Sequence, residues 1–248
     1  MAILHTSTDV LGTIGQLADC VTETEANELV TQVIHMLGAQ SFVYCLRLPS
    51  IDGRTDDSMR YSIGCSPALC ALYSKRMWML TDPFLEYART SIAPLAGSKV
   101  KIKTPGQAEL IRLSAQHGFR SGLVVPTHTS MQASQRMGLL YIGSELPAHI
   151  GEPLLMAKRV PFGALGSELL LWWVHRLRQQ AMRKYSLDDE EIETLQLSKD
   201  GRVAMEIAAI FDIKLAAAYK RLNAIKEKLN VEKIEMAVMK ADGLGLLG

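Results

Sequence analysis

Long apolar runs are missing from this chain. No stretch of about 20 apolar residues occurs, which argues against a membrane-spanning helix. The opening MAILHTSTDVLGTIGQLADC has neither a basic start nor a long apolar segment, so no signal peptide is expected. Cysteine is scarce: Cys20, Cys45, Cys65 and Cys70 show no CxxC spacing and no histidine at finger spacing, which argues against zinc. The four read as reduced thiols of a cytoplasmic protein, mostly core fillers. Net charge is close to absent, at +1, so overall charge points to no partner. No nucleophile–base–acid set, phosphate loop or metal cluster is visible, and the six histidines show no ligand spacing. The chain reads as a non-enzyme without a cofactor or metal. No internal repeat or low-complexity segment occurs.

What is present is an ordinary globular composition, 48% hydrophobic and 21% charged over 248 residues. That length suits one large or two modest domains with a full core. Residues 10 to 38 carry apolar positions at helical spacing, with Thr22 or Thr24 as cap. Phe42–Leu48 and MRYSIG read as strands around the polar turn IDGRTDDS. Pro67–Lys75 and Pro83–Thr90 read as helices opening with proline. KVKIK (Lys99–Lys103) alternates like an edge strand whose lysines discourage further pairing. Pro105–Gly118 is an amphipathic helix. SGLVVPTH and RMGLLYIGS follow as strands joined by TSMQASQ. A long helix spans roughly 151 to 182, with a break at Pro161 and an apolar side bearing Leu169, Leu170, Trp172 and Trp173. This order predicts an antiparallel sheet covered by helices on both faces.

From about Tyr185 the strand signals stop. Four short helices are expected near 188–197, 203–211, 214–229 and 233–241. The tail from residue 185 carries nine Lys and Arg against twelve Asp and Glu. The preceding HRLRQQAMRK is basic and fits either a phosphate-facing or a solvated linker helix. In the helix from Lys214, Leu215, Ala218, Leu222, Ile225 and Leu229 recur at steps of three and four and predict one buried stripe. Ala216, Lys220, Asn223 and Glu227 fall opposite, with Tyr219 and Arg221 on the flanks. In the helix before it, Ile207, Ala208 and either Ile210 or Phe211 face inward.

The segment from Leu187 to Val238 resembles the helix-turn-helix of the LuxR family of bacterial transcription regulators. Leu187, Glu191, Leu195, Gly201, Glu206-Ile207, Ile213, Lys228-Leu229, Ala237 and the closing GLGLL carry the likeness. The family usually places Ser or Thr where Lys214 stands, Thr-Val where Ala217-Ala218 stand, and Arg where Glu190 stands. Lysine cannot accept the capping N–H, a loss of about 1 kcal/mol; Asp212 is expected to cap one turn earlier.

Upstream, CSPALCALYSKRMWMLTDP resembles the autoinducer-binding block of the same family. Tyr73, Asp82 and Pro83 keep the family spacing, and Gly122 matches a later glycine. The family's lactone-facing tryptophan is Leu69 here, and a second falls at Gly97 or its neighbours. The resemblance implies an α+β protein: an N-terminal α/β/α sandwich with an antiparallel sheet, residues 1–175, for sensing and dimerisation. It further implies a linker, 176–186, and a four-helix DNA-binding domain, 187–248. Tyr73, Asp82, Leu69, Trp78 and Tyr141 are the expected ligand residues. Taken alone, Asp82 also reads as an N-cap before Pro83, with Tyr73 in the core. The ligand would be an acyl-homoserine lactone, a non-standard variant, or another small amphipathic signal. Lys220 and Asn223, flanked by Tyr219 and beside Ala216, are expected to meet bases of promoter DNA. Lys214, Arg221 and Lys226 are expected to meet phosphates. The active form would be a homodimer, or a heterodimer with another LuxR-type regulator. The alternative is a homologue that lacks DNA binding or ligand dependence and modulates another regulator by forming inactive dimers.

Overall fold

The computed structural model describes residues 10–48, 59–128 and 137–247. The turn IDGRTDDS and the loop TSMQASQ lie outside the described residues. The chain divides into two compact units. One takes residues up to Arg47 and then Met59–Trp172; the other includes everything from Trp173 onward.

The first unit is built on a five-stranded antiparallel sheet: β1 Ser41–Arg47, β2 Met59–Gly64, β3 Leu95–Ala96, β4 Ser121–His128 and β5 Met137–Ser144, in the order β2-β1-β5-β4-β3. In the central β5 and β4 almost every residue is buried, so helices cover both faces of the sheet. On one face Tyr44, Leu46, Leu123, Leu140 and Ile142 are fully buried. On the other, Cys45, Val124, Leu139 and Met137 pack with Phe84, Leu85 and Ala88.

The flanking helices begin where the sequence offers start signals. Helix α1, Glu23–Met36, is closed by a capping box: Thr22 accepts the Glu25 N–H, and the Glu25 carboxylate accepts the Thr22 N–H. Of the two caps expected, Thr22 and Thr24, Thr22 is the one used. Helices α2 (Pro67–Lys75), α3 (Pro83–Ala88) and α4 (Pro105–Ser114) all carry proline in the first turn, where its missing N–H costs nothing. The long helix is in fact two, α5 (Ala148–Ala157) and α6 (Arg159–Tyr185). The break falls at Lys158, not Pro161, because Pro161 sits in the first turn of α6 and is tolerated there.

The edge-strand reading of KVKIK is corrected. β3 is only Leu95–Ala96, followed by a 3-10 turn over Gly97–Lys99. Side chains capture the backbone donors a longer strand would need: Ser98 N–H goes to Glu152 and Lys103 N–H to Gln107. The cysteine reading is also revised, since only Cys45 is buried while Cys20, Cys65 and Cys70 are partly exposed.

In the second unit four helices follow the end of α6: α7 Asp189–Lys199, α8 Ala204–Ile210, α9 Leu215–Leu229 and α10 Ile234–Gly243. Their core joins Leu187, Ile192, Leu195, Ile225, Leu229, Ala237 and the tail residues Leu246 and Leu247. A second small cluster joins Ile207 and Ala208 of α8 to Ala218 of α9. Phe211, not Ile210, turns toward that cluster; Ile210 is half exposed. Among the described residues no helix is long and apolar enough to cross a membrane, and no group of three metal-ligating side chains forms.

Candidate ligand site and the exposed face of helix α9

Asp82 sits at the start of α3, where it acts as N-cap. Its Oδ1 accepts the N–H groups of Phe84 at 2.7 Å and Leu85 at 3.4 Å. Its other oxygen accepts the Tyr73 hydroxyl at 2.8 Å, from the last turn of α2. The cap reading of Asp82 is borne out, and the same carboxylate also takes the Tyr73 hydroxyl. Burial raises the Asp82 pKa against three hydrogen bonds that lower it. Burial, then the Asp82 charge, raises that of Tyr73 far above the usual phenol value.

Leu69 lies one turn before Tyr73 on α2 and is buried. Trp78 is buried and meets the Tyr73 ring edge-on, centroids 6.3 Å apart. Tyr141, from the middle of β5, stacks between Phe84 at 4.2 Å and Phe119 at 5.0 Å. Its hydroxyl lies over Gly122 of β4, where an added Cβ would come within 2.4 Å of it. The register places Gly122 opposite Gly143 and Val124 opposite Tyr141, so this glycine gives the tyrosine room to lie flat. Burial first, then the Asp82 and Glu152 charges, raises the Tyr141 pKa.

The structure therefore brings Tyr73, Asp82, Trp78 and Tyr141 around one end of α3. Three participants were not foreseen from sequence: Phe84, Phe119 and Glu152. Glu152 is buried on α5 and accepts both the N–H and the hydroxyl of Ser98. A glutamate inside the otherwise apolar HIGEPLLMA was the one available signal.

In the second unit, Lys214 stands at the N-cap of α9 with no side-chain cap bond. Asp212 does not cap either: it adopts a left-handed conformation, φ 51°, in the turn after α8. Ala218, Ile225 and Leu229 are buried, but Leu215 is 44% exposed. At the first position of α9 it has passed beyond the short α8 and its cluster. Ala216, Tyr219, Lys220 and Asn223 are exposed together on the outer side. Arg221 is placed differently from that set. Its guanidinium pairs with Glu190 and lies 4.5 Å above the Phe211 ring, which holds it inside the unit. Lys228 binds both oxygens of the buried Glu191 at 2.6 and 2.7 Å, and Glu191 also accepts the Asp188 N–H. Lys199 pairs with Asp242.

Residues 22–169 match the family model described as "Autoinducer binding domain". No curated protein matches the sequence. Among solved structures, SdiA in complex with octanoyl-rac-glycerol is similar at 17% identity, covering 95% of this chain and 94% of that one, with a TM-score of 0.62. Escherichia coli SdiA in another crystal form is 18% identical over 99% of both chains, TM-score 0.62. CepR2 from Burkholderia cenocepacia, an N-acylhomoserine lactone dependent LuxR family transcription factor, is 19% identical over 68% of this chain and 96% of that one, TM-score 0.56. At such identities the structural likeness speaks for the fold, and the family rests on the matched sensing domain. The chain belongs to the autoinducer-binding family of LuxR-type regulators, whose members are ligand-binding regulators and not enzymes.

Proposed function

We propose that this protein is a ligand-responsive transcription regulator whose first unit binds a small amphipathic acyl molecule other than a standard homoserine lactone. The observation that carries this reading is the state of the polar groups around α3. Both Asp82 oxygens and the Tyr73 hydroxyl are satisfied by each other and by the α3 backbone. Leu69 has no donor to offer a lactone carbonyl, and an unpaired carbonyl there costs about 1–3 kcal/mol. The Trp78 indole and the Tyr141 hydroxyl are the donors left for a ligand acceptor, within an otherwise apolar, aromatic-lined surrounding. Titration calorimetry of the full chain against acyl-homoserine lactones and monoacylglycerols is the test; nanomolar binding of a standard lactone would overturn the altered-ligand reading.

The second unit is proposed to bind promoter DNA as a dimer through a helix-turn-helix formed by α8 and α9. Lys220 and Asn223, beside Ala216 and Tyr219, are the base-reading candidates; Lys214 and Lys226 are the phosphate candidates. Ligand would bias the dimer between conformations, a population shift. Lys220→Ala is expected to weaken promoter binding in a gel-shift assay, and unchanged binding removes that assignment. A second reading is favoured by the acidic balance of this unit, the uncapped Lys214 and the internally engaged Arg221: a partner that modulates another regulator without gripping DNA. Fluorescence anisotropy at low salt separates the two, since absence of binding to any duplex supports the modulator.

A further inference from the structure

The start of α2 carries an unusual pair. Ser66 is the N-cap of this helix but makes no side-chain cap bond. Cys65 precedes the cap and Cys70 is the fourth helical residue. These are the two positions at which apolar side chains ordinarily pack to fix the entry of the chain into a helix. Here the contact is made by two sulfur atoms 3.7 Å apart. Both cysteines are free and partly exposed. A disulfide needs the sulfurs at about 2.05 Å, so the two must approach further across a loop of four intervening residues.

We propose that Cys65 and Cys70 form an oxidative modification site, a dithiol that hydrogen peroxide converts to a disulfide closing the start of α2. In this reaction one thiol is oxidised to a sulfenic acid, releasing one water from peroxide. The second thiol attacks that sulfur, its proton leaves with the displaced hydroxyl as a second water, and the S–S bond forms. Two thiols lose two electrons and two protons; one peroxide accepts them. The 3.7 Å separation lets the second step outrun further oxidation of the first sulfur. Burial first, and Cys70 next, push the Cys65 thiol up to about 12, so Cys65 is the slower of the two to react with peroxide; it attacks the sulfenic acid as its proton passes to the departing hydroxyl. Cys45 is buried and held protonated, chiefly by burial, and takes no part. The disulfide supplies the covalent closure that the missing cap leaves open, on the helix that presents Tyr73 to Asp82.

Both cysteines fall within one tryptic peptide, Tyr61–Lys75, which makes the test direct. The reduced full-length protein is treated with hydrogen peroxide, alkylated under denaturing conditions and digested. The expected result is a Tyr61–Lys75 peptide lighter by two hydrogens and unalkylated, with two of the four thiols lost. The thermal midpoint is expected to rise on oxidation and to return with dithiothreitol. Cys70→Ser and Cys65→Ser proteins keep their midpoint under the same treatment, and each variant's circular dichroism establishes that it is folded. A peptide carrying sulfinic acid, a disulfide through Cys20 or between chains, or an unchanged thiol count overturns the proposal. An equal midpoint shift in the serine variants overturns it as well.

Discussion

In the sheet-containing unit four groups, Tyr44, Cys45, Tyr73 and Tyr141, keep their protons well above the usual range, chiefly because burial disfavours their charged forms. In the helical unit the buried carboxylate is held by a cation, and further ion pairs lie nearer the surface. Glu191 lies under Lys228, Glu190 reaches Arg221, and Lys199 meets Asp242. The two strategies suit the two proposed tasks. A small apolar ligand is favoured by a site without free charge, and Asp82 enters that site only with three hydrogen bonds already made. A nucleic-acid contact requires free cations, yet this unit ties several of its cations to its own acids. The tied cations are the physical basis for expecting modest DNA affinity.

The largest effect is expected from Lys228→Ala. It leaves the Glu191 carboxylate buried without its cation, and losing one partner of such a pair costs about 3 kcal/mol. Urea denaturation of the helical unit's transition measures it, and a loss below about 1 kcal/mol would mean the pair behaves like a surface one.

Gly122→Ala comes next. A methyl within 2.4 Å of the Tyr141 hydroxyl must move the ring out of its stack, at about 1–3 kcal/mol. A Tyr141→Leu background is expected to relieve most of that cost, and failure to do so would separate the glycine from the tyrosine.

Lys214→Asp tests the other unit. It supplies the missing acceptor at the start of α9 and should raise stability by about 1 kcal/mol, read by thermal melting, while lowering DNA affinity through lost charge.

The smallest effect is a contrast in solution conditions. A phenol or thiol whose pKa is raised by folding stabilises the fold at low pH, and that contribution is lost as pH rises past the value of the unfolded chain. For Cys45 that value is 9.0, and for Tyr44, Tyr73 and Tyr141 it is 10.0. Calorimetry should therefore show the sheet-containing unit losing stability above pH 9, with little response to salt. The ion-paired unit should weaken as salt rises from ~0.1 to ~1 M, where screening length falls to about 3 Å.

Local chemistry made much of this legible in advance. Pro67, Pro83 and Pro105 announced three helix starts, whereas Tyr73 and Asp82 were expected to meet a ligand and are found bonded to each other. What stayed hidden depended on partners distant in sequence. KVKIK looked like a strand because alternation cannot reveal that Glu152 and Gln107 take its neighbouring backbone donors. Leu215 belonged to the apolar stripe by periodicity, but a stripe does not say where the short α8 ends. Phe84 and Phe119 join Tyr141 only through the pairing of β4 with β5 and the docking of α3. Arg221 fell on a flank of the helical wheel and was expected at phosphates; Glu190 and Phe211, from other elements, draw it in.

The fit between Gly122 and Tyr141 carries an historical implication. Each residue is the mould of the other: the flat ring requires a partner without a side chain, and the bare backbone is covered only while the ring is there. Descendants of this gene are thus constrained in the order of change. A smaller side chain at 141 must be accepted before any side chain can appear at 122, so relatives should separate into glycine-with-tyrosine lineages and lineages that altered position 141 first.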